Sequence, residues 1–124
     1  VTGRTGAIGG HAVPALVRAG HTVTALARTS QKASVLTGQG ATPESVSLFD
    51  SSALASAFVG HDAVINLATA MPSTLGFVIR RAWRATERVR TEGSAAVAEA
   101  AHAAGVERLA QESVAILYRD QGAR

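Results

Sequence analysis

Three glycines spaced three apart, Gly3, Gly6 and Gly9, constrain this chain more than any other feature. The first lets backbone turn sharply out of a strand. The second lets backbone approach phosphate oxygens, because no Cβ stands in the way. The third lets the following helix pack closely on that strand. The free N–H groups and positive dipole end of the helix then favour an anion. The predicted unit is a strand–turn–helix that holds a pyrophosphate. In a chain with 12 glycines the spacing alone would also suit an ordinary turn before a helix. The context decides, because a βαβ pattern follows. No Gly-Lys-Ser/Thr closes the motif, which argues against a kinase-type phosphate loop.

Residues 7–19 read as the first helix, with Ile8, Ala12, Leu16 and Ala19 on one face and Gly20 as terminator. Pro14 is a misfit past the first turn. Residues 21–27 read as a strand, with Val23, Ala25 and Ala27 on one side and Leu26 on the other. A short helix over 30–37 follows, then a strand over 43–49 around Val46 and Leu48, and a helix over 52–59 capped by Asp50 or Ser51. The apolar run 63–68 suits a strand buried on both faces. A loop with Met71-Pro72, a long helical stretch over 77–104 and a strand over 107–113 complete the pattern.

These residues resemble a known family. T-G-R-T-G-A-I-G-G-H and A-G-H-T-V-T-A-L-A-R are similar to the opening of the extended or atypical short-chain dehydrogenases/reductases. That superfamily includes NAD(P)-dependent epimerases and dehydratases and the NmrA-like proteins. H-D-A-V-I-N-L-A and E-G-S-A-A-V-A-E-A-A-H-A-A-G-V-E-R-L-A-Q-E-S resemble its later segments. The resemblance implies an α/β Rossmann fold, a doubly wound parallel sheet with strand order 3-2-1-4-5. Residues 1–124 are then one partial NAD(P)-binding domain. Only Val1 and Thr2 precede the first glycine, so the expectation is a fragment lacking most of the first strand and the C-terminal half.

The resemblance also implies site residues. Gly3, Arg4, Thr5, Gly6, Ala7, Ile8 and Gly9 form the pyrophosphate turn. An acidic residue at the end of the second strand would bind the ribose 2′-hydroxyl of NAD. Here that position holds Arg28, and the next acidic residue is Glu44. Arg28 and Lys32, with Ser30 and Arg4 beside them, suit a 2′-phosphate, so the expected cofactor is NADP(H), with NAD(H) the alternative. Against this stands a solvated basic loop in which Ser30 caps the helix. Asp50 matches an Asp that meets the adenine amino group, and Ala68 and Thr69 match backbone along the ribose and nicotinamide. Asn66 reads as a hydrogen-bonding partner within the fold and not as a catalyst.

Catalysis in the family uses a Tyr whose proton transfer is assisted by a Lys four residues later. This chain has one Tyr, Tyr118, and Gly122 lies four residues beyond it. The Tyr-x-x-x-Lys unit is therefore not in these residues, and Ser113 is the neighbouring candidate for the catalytic hydroxyl, whose usual position falls at Val114. Two departures stand out: Arg90 where the family often has Asn, and Glu112-Ser113-Val114 where it has a Ser/Thr run. The expected function is the cofactor half of an oxidoreductase or epimerase/dehydratase-like enzyme. It would move hydride at a carbonyl or alcohol of a small substrate, sugar nucleotides included. The alternative is a non-catalytic NmrA-like redox sensor.

Composition bounds the rest. There is no Cys, which fits a reducing, cytoplasmic setting. No apolar run reaches the roughly 18 residues of a membrane span. The net charge of +3 is too small to argue for nucleic acid. Arg80, Arg81, Arg84, Arg88 and Arg90 read as a solvated basic helix face, aided by an Arg88–Glu92 pair. His11, His21, His61 and His102 have no metal-ligand spacing, so no metal is expected. Homodimers through the later helices are common in the family, so a homodimer is a further expectation.

Overall fold

The computed structural model describes residues 1–3, 7–68, 84 and 87–112. The elements are α1 (Ala7–Arg18), β1 (Thr24–Leu26), α2 (Ser30–Gly38), β2 (Thr42–Glu44), α3 (Ser51–Phe58) and β3 (Ala63–Asn66). A π-helical turn (Val89–Gly93) then runs into α4 (Ser94–Ala103), and β4 (Arg108–Gln111) follows.

β1 pairs parallel with β2, and β3 pairs parallel with β4. Val1 and Thr2 lie between the pairs. Leu26 N donates to Val1 O at 3.0 Å on one side, and Thr2 N donates to Ile65 O at 2.9 Å on the other. Counted along the chain, the order is 3-2-1-4-5, as expected of a doubly wound sheet. Pro43 sits within β2, whose only partner among the described residues is β1. Its missing N–H is tolerated on such an edge.

Two apolar clusters flank the sheet. Val13 of α1, Leu36 of α2, Ala41, and Ala25 of β1 with Val23 and Ala27 on either side of that strand form one. Leu54 and Phe58 of α3, Val64 of β3 and Ala96, Val97, Ala100 and Ala101 of α4 form the other. Leu26 points away from Ala25 and packs on the second cluster, as strand alternation requires.

Two expectations need correcting. The inward face of α1 is not Ile8–Ala12–Leu16–Ala19. Ile8 is 55% exposed, and Val13 is fully buried with Leu16 and Val17 packed beside it. Gly9 is buried, so the helix rests on the sheet along the Gly9–Val13–Val17 stripe. The third strand is Thr42–Glu44, earlier than the apolar residues suggested. Val46 and Leu48 instead pack from the connection onto the α3–α4 cluster.

Asp50 caps α3, its Oδ1 accepting from Ala53 N at 3.0 Å. Asp50→Ala removes the acceptor for an otherwise unpaired helix donor. We expect it to destabilise the fold by about 1 kcal/mol, read as a shifted urea midpoint at unchanged slope.

Candidate functional site

The strand ends converge where the glycine turn begins. Thr2 O accepts from Leu67 N at 3.1 Å, so the chain enters the turn tied to the end of β3. Gly3 then takes φ +72°, the left-handed region. A Cβ built on Gly3 would overlap the Leu67 carbonyl and the Ala68 nitrogen. Gly3 is thus laid directly on the Leu67–Ala68 peptide, a close approach only glycine permits. Gly9 is buried in α1, in keeping with tight helix packing. Arg4, Thr5 and Gly6 lie outside the described residues, as does Thr69. Ala7 opens α1, and its first turn carries no acidic residue that would repel an anion.

The end of β1 forms one wing of the site. Ala27 is buried, and Arg28 emerges exposed directly after it. Thr29, rather than Ser30, is the N-cap of α2, its hydroxyl accepting from Lys32 N at 3.3 Å. This leaves Ser30 exposed and Lys32 half-buried on the first turn, which has no acidic residue. Arg28 and Lys32 therefore share one loop–helix junction. Asp50 stands at the end of the β2–α3 connection, exposed, with one carboxylate oxygen in its cap.

The other wing is built on Asn66, which has no exposed surface. Its Oδ1 accepts from the Thr2 hydroxyl and from Ala68 N, the latter at 3.2 Å. The backbone N–H of Ala68 can only donate, so it identifies that side of the amide as oxygen. Nδ2 then donates to Gln111 Oε1 of β4 at 2.7 Å. One buried side chain thus joins the entering strand, the backbone after β3 and the end of β4. The expected structural role for Asn66 is what these bonds describe.

Beyond Gln111 the chain stays attached, with Glu112 N donating to Asn66 O at 3.0 Å. Arg90, from the π turn, lies 3.6 Å from Glu112 Oε1, and both side chains are more than four-fifths buried. Glu112 Oε2 is buried without a hydrogen-bond partner among the described residues. The solvated-face reading fits Arg84 and Arg88, which are exposed, but not Arg90. Arg88 pairs with Glu92 at 3.0 Å and lies over the Phe49 ring at 4.1 Å. The Arg90–Glu112 pair was missed from sequence, although both residues stood out as departures. Thr2 and Gln111 carried no signal. Ser113, Tyr118, Arg80 and Arg81 fall outside the described residues.

Among the described residues no His/Cys/Asp/Glu group could hold a metal, and no helix is long and apolar enough to cross a membrane.

The sequence pattern of a family described as NAD(P)H-binding matches residues 3–123. A 3-diazoavenalumate denitrifying reductase from a Streptomyces species is 35% identical over 126 residues, covering 98% of this chain and 39% of the reductase. UDP-glucose-4-epimerase from Stenotrophomonas maltophila, solved with bound NAD and formylated UDP-arabinopyranose, has a TM-score of 0.79 at 24% identity. The match covers 98% of this chain and 38% of the epimerase, and at that identity it speaks to the fold. An NADPH-dependent quinone oxidoreductase from Escherichia coli, complexed with NADPH, has a TM-score of 0.64 at 27% identity. It covers 89% of this chain and 34% of the oxidoreductase. The chain spans less than half the length of each of these relatives.

Proposed function

The chain belongs to the NAD(P)H-binding family, within the short-chain dehydrogenase/reductase superfamily, and from that premise we propose that it binds NADP(H) in preference to NAD(H). It does so as the cofactor half of an oxidoreductase or epimerase/dehydratase-like enzyme acting on a carbonyl or alcohol of a small substrate. The observation that carries the reading is the backbone at Gly3, seated so closely on Leu67–Ala68 that a Cβ would overlap them. In open α/β sheets a ligand lies across the C-terminal strand ends at such a point.

In this reading Gly3, Gly6 and Gly9, with Arg4, Thr5, Ala7 and Ile8, surround the pyrophosphate. Arg28 and Lys32 hold the 2′-phosphate, supported by the exposure of Arg28 directly after β1 and the lack of an acidic residue there. Asp50 meets adenine with the oxygen its cap does not use. Ala68 and Thr69 run along the ribose. The cofactor supplies the hydride donor or acceptor. The chain's own part is to bind and orient it.

Calorimetric titration of the full-length protein with NADPH and with NADH tests this. We expect tighter binding of NADPH. Arg28→Ala should weaken NADPH about ten- to a hundredfold, the loss of one charge-assisted contact, and leave NADH nearly unchanged. Equal affinities in the wild type would overturn the phosphate pocket and leave the glycine turn standing. A folded protein that binds neither would overturn the reading as a whole.

A further inference from the structure

We propose that the Arg90–Glu112 pair sets the relative affinity of this site for the oxidised and reduced nicotinamide. The inference rests on the cofactor reading above. If the adenosine half lies toward Arg28 and Asp50 and the pyrophosphate lies at Gly3, the nicotinamide half falls on the β3–β4 wing. Glu112 is at the end of β4, tied by its own N–H to Asn66 O, and Asn66 in turn holds Ala68.

The two cofactor states differ there by one unit of charge. The oxidised nicotinamide ring is cationic and the reduced ring is neutral. A charge held near the ring in a partly water-excluded place therefore discriminates between them. Both members of the pair are more than four-fifths buried, so solvent screens them incompletely. The carboxylate is only partly compensated. Its contact to Arg90 is long, at 3.6 Å, and Oε2 has no hydrogen-bond partner among the described residues. Such a carboxylate keeps much of its field, and the guanidinium beside it opposes that field.

The pair can be unbalanced in either direction. Glu112→Gln leaves a net positive charge on this wing and disfavours the cationic ring. Arg90→Gln leaves a net negative charge and favours it. Either variant also changes the attraction for the cofactor phosphates, but that change is common to both redox states. The ratio of the two affinities isolates the ring.

The test measures dissociation constants of NADP⁺ and NADPH for the full-length wild type, Glu112→Gln, Glu112→Asp and Arg90→Gln. We expect the ratio Kd(NADP⁺)/Kd(NADPH) to rise about three- to tenfold in Glu112→Gln and to fall by a similar factor in Arg90→Gln. Glu112→Asp keeps the charge and should stay near the wild-type ratio. A merely structural pair would weaken both states together and leave every ratio unchanged. That outcome overturns the inference while preserving the cofactor reading. Ratios moving in the same direction in Glu112→Gln and Arg90→Gln would overturn it too. A wild type that binds neither state overturns both readings.

Discussion

Gly3→Ala is expected to destabilise the domain by more than about 4 kcal/mol and to abolish cofactor binding. Two effects combine. The residue has φ +72°, and an L side chain in that region costs roughly 1–2 kcal/mol. The second effect is larger, because the new Cβ would overlap the Leu67 carbonyl and the Ala68 nitrogen. Those atoms are backbone, and Leu67 N is bonded to Thr2 O, so they cannot step aside as a side chain could. Gly3 must lift off the strand end, and on the proposed reading the pyrophosphate site is lost with it. Against a typical stability of about 5–15 kcal/mol, this removes a large part. Urea unfolding and an NADPH titration check the two halves of the prediction. A wild-type midpoint would show that the turn does not lie on Leu67–Ala68.

Asn66→Leu is expected to cost about 2–5 kcal/mol. Leu keeps the branched shape but is bulkier than Asn at a fully buried position, so overpacking adds to the loss of hydrogen bonds. Thr2 is 1% exposed, and its hydroxyl loses its acceptor. Ala68 N loses one as well, while Gln111 is exposed and can turn to water. The stranded hydroxyl gives a specific check. In the Asn66→Leu background, Thr2→Val removes the unsatisfied group and should recover about 1–2 kcal/mol, although Thr2→Val alone is destabilising. A double-mutant cycle in urea measures this coupling. Additive effects would show that Thr2 and Asn66 do not share a bond.

The features legible in the sequence were those written over short spans. The sharp turn at Gly3, the Val23–Ala25–Ala27 alternation and the Asp50 cap each depend on neighbours within a few residues. The strand order followed from the resemblance carried by such stretches. What escaped was of two kinds. On α1, apolar residues fall at helical spacing along both the Ile8–Ala12–Leu16 line and the Val13–Val17 line, so the pattern did not choose the buried face. In the β2–α3 connection, Val46 and Leu48 have the alternation of a strand, yet tertiary packing on α3 and α4 claims them. The site's second wing was hidden for a different reason. Thr2 and Asn66 are 64 residues apart, and Asn66 and Gln111 are 45 apart. Such pairs exist only once the sheet has assembled. Arg90 looked like one more member of a surface stripe, and nothing local announces the π turn that carries it inward.

That π turn leaves the helical segment out of phase with itself. An α-helix turns about 100° per residue, and one extra residue held in a wider turn offsets everything upstream by about that angle. Glu87 and Arg88 are therefore displayed in a different angular frame from the Ala96–Val97–Ala100 face that packs on α3. The offset lets one segment serve three addresses at once: Arg88 on the Phe49 ring, Arg90 on Glu112, and Gly93 against Leu48, where a Cβ would come within 2.8 Å of the Leu48 side chain. Taking one residue out between Val89 and Gly93 would restore a regular helix and keep the core face of α4. It would also swing both arginines away from their partners together. The irregularity acts as a coupling, so Arg88 over Phe49 and Arg90 beside Glu112 keep a common angular setting.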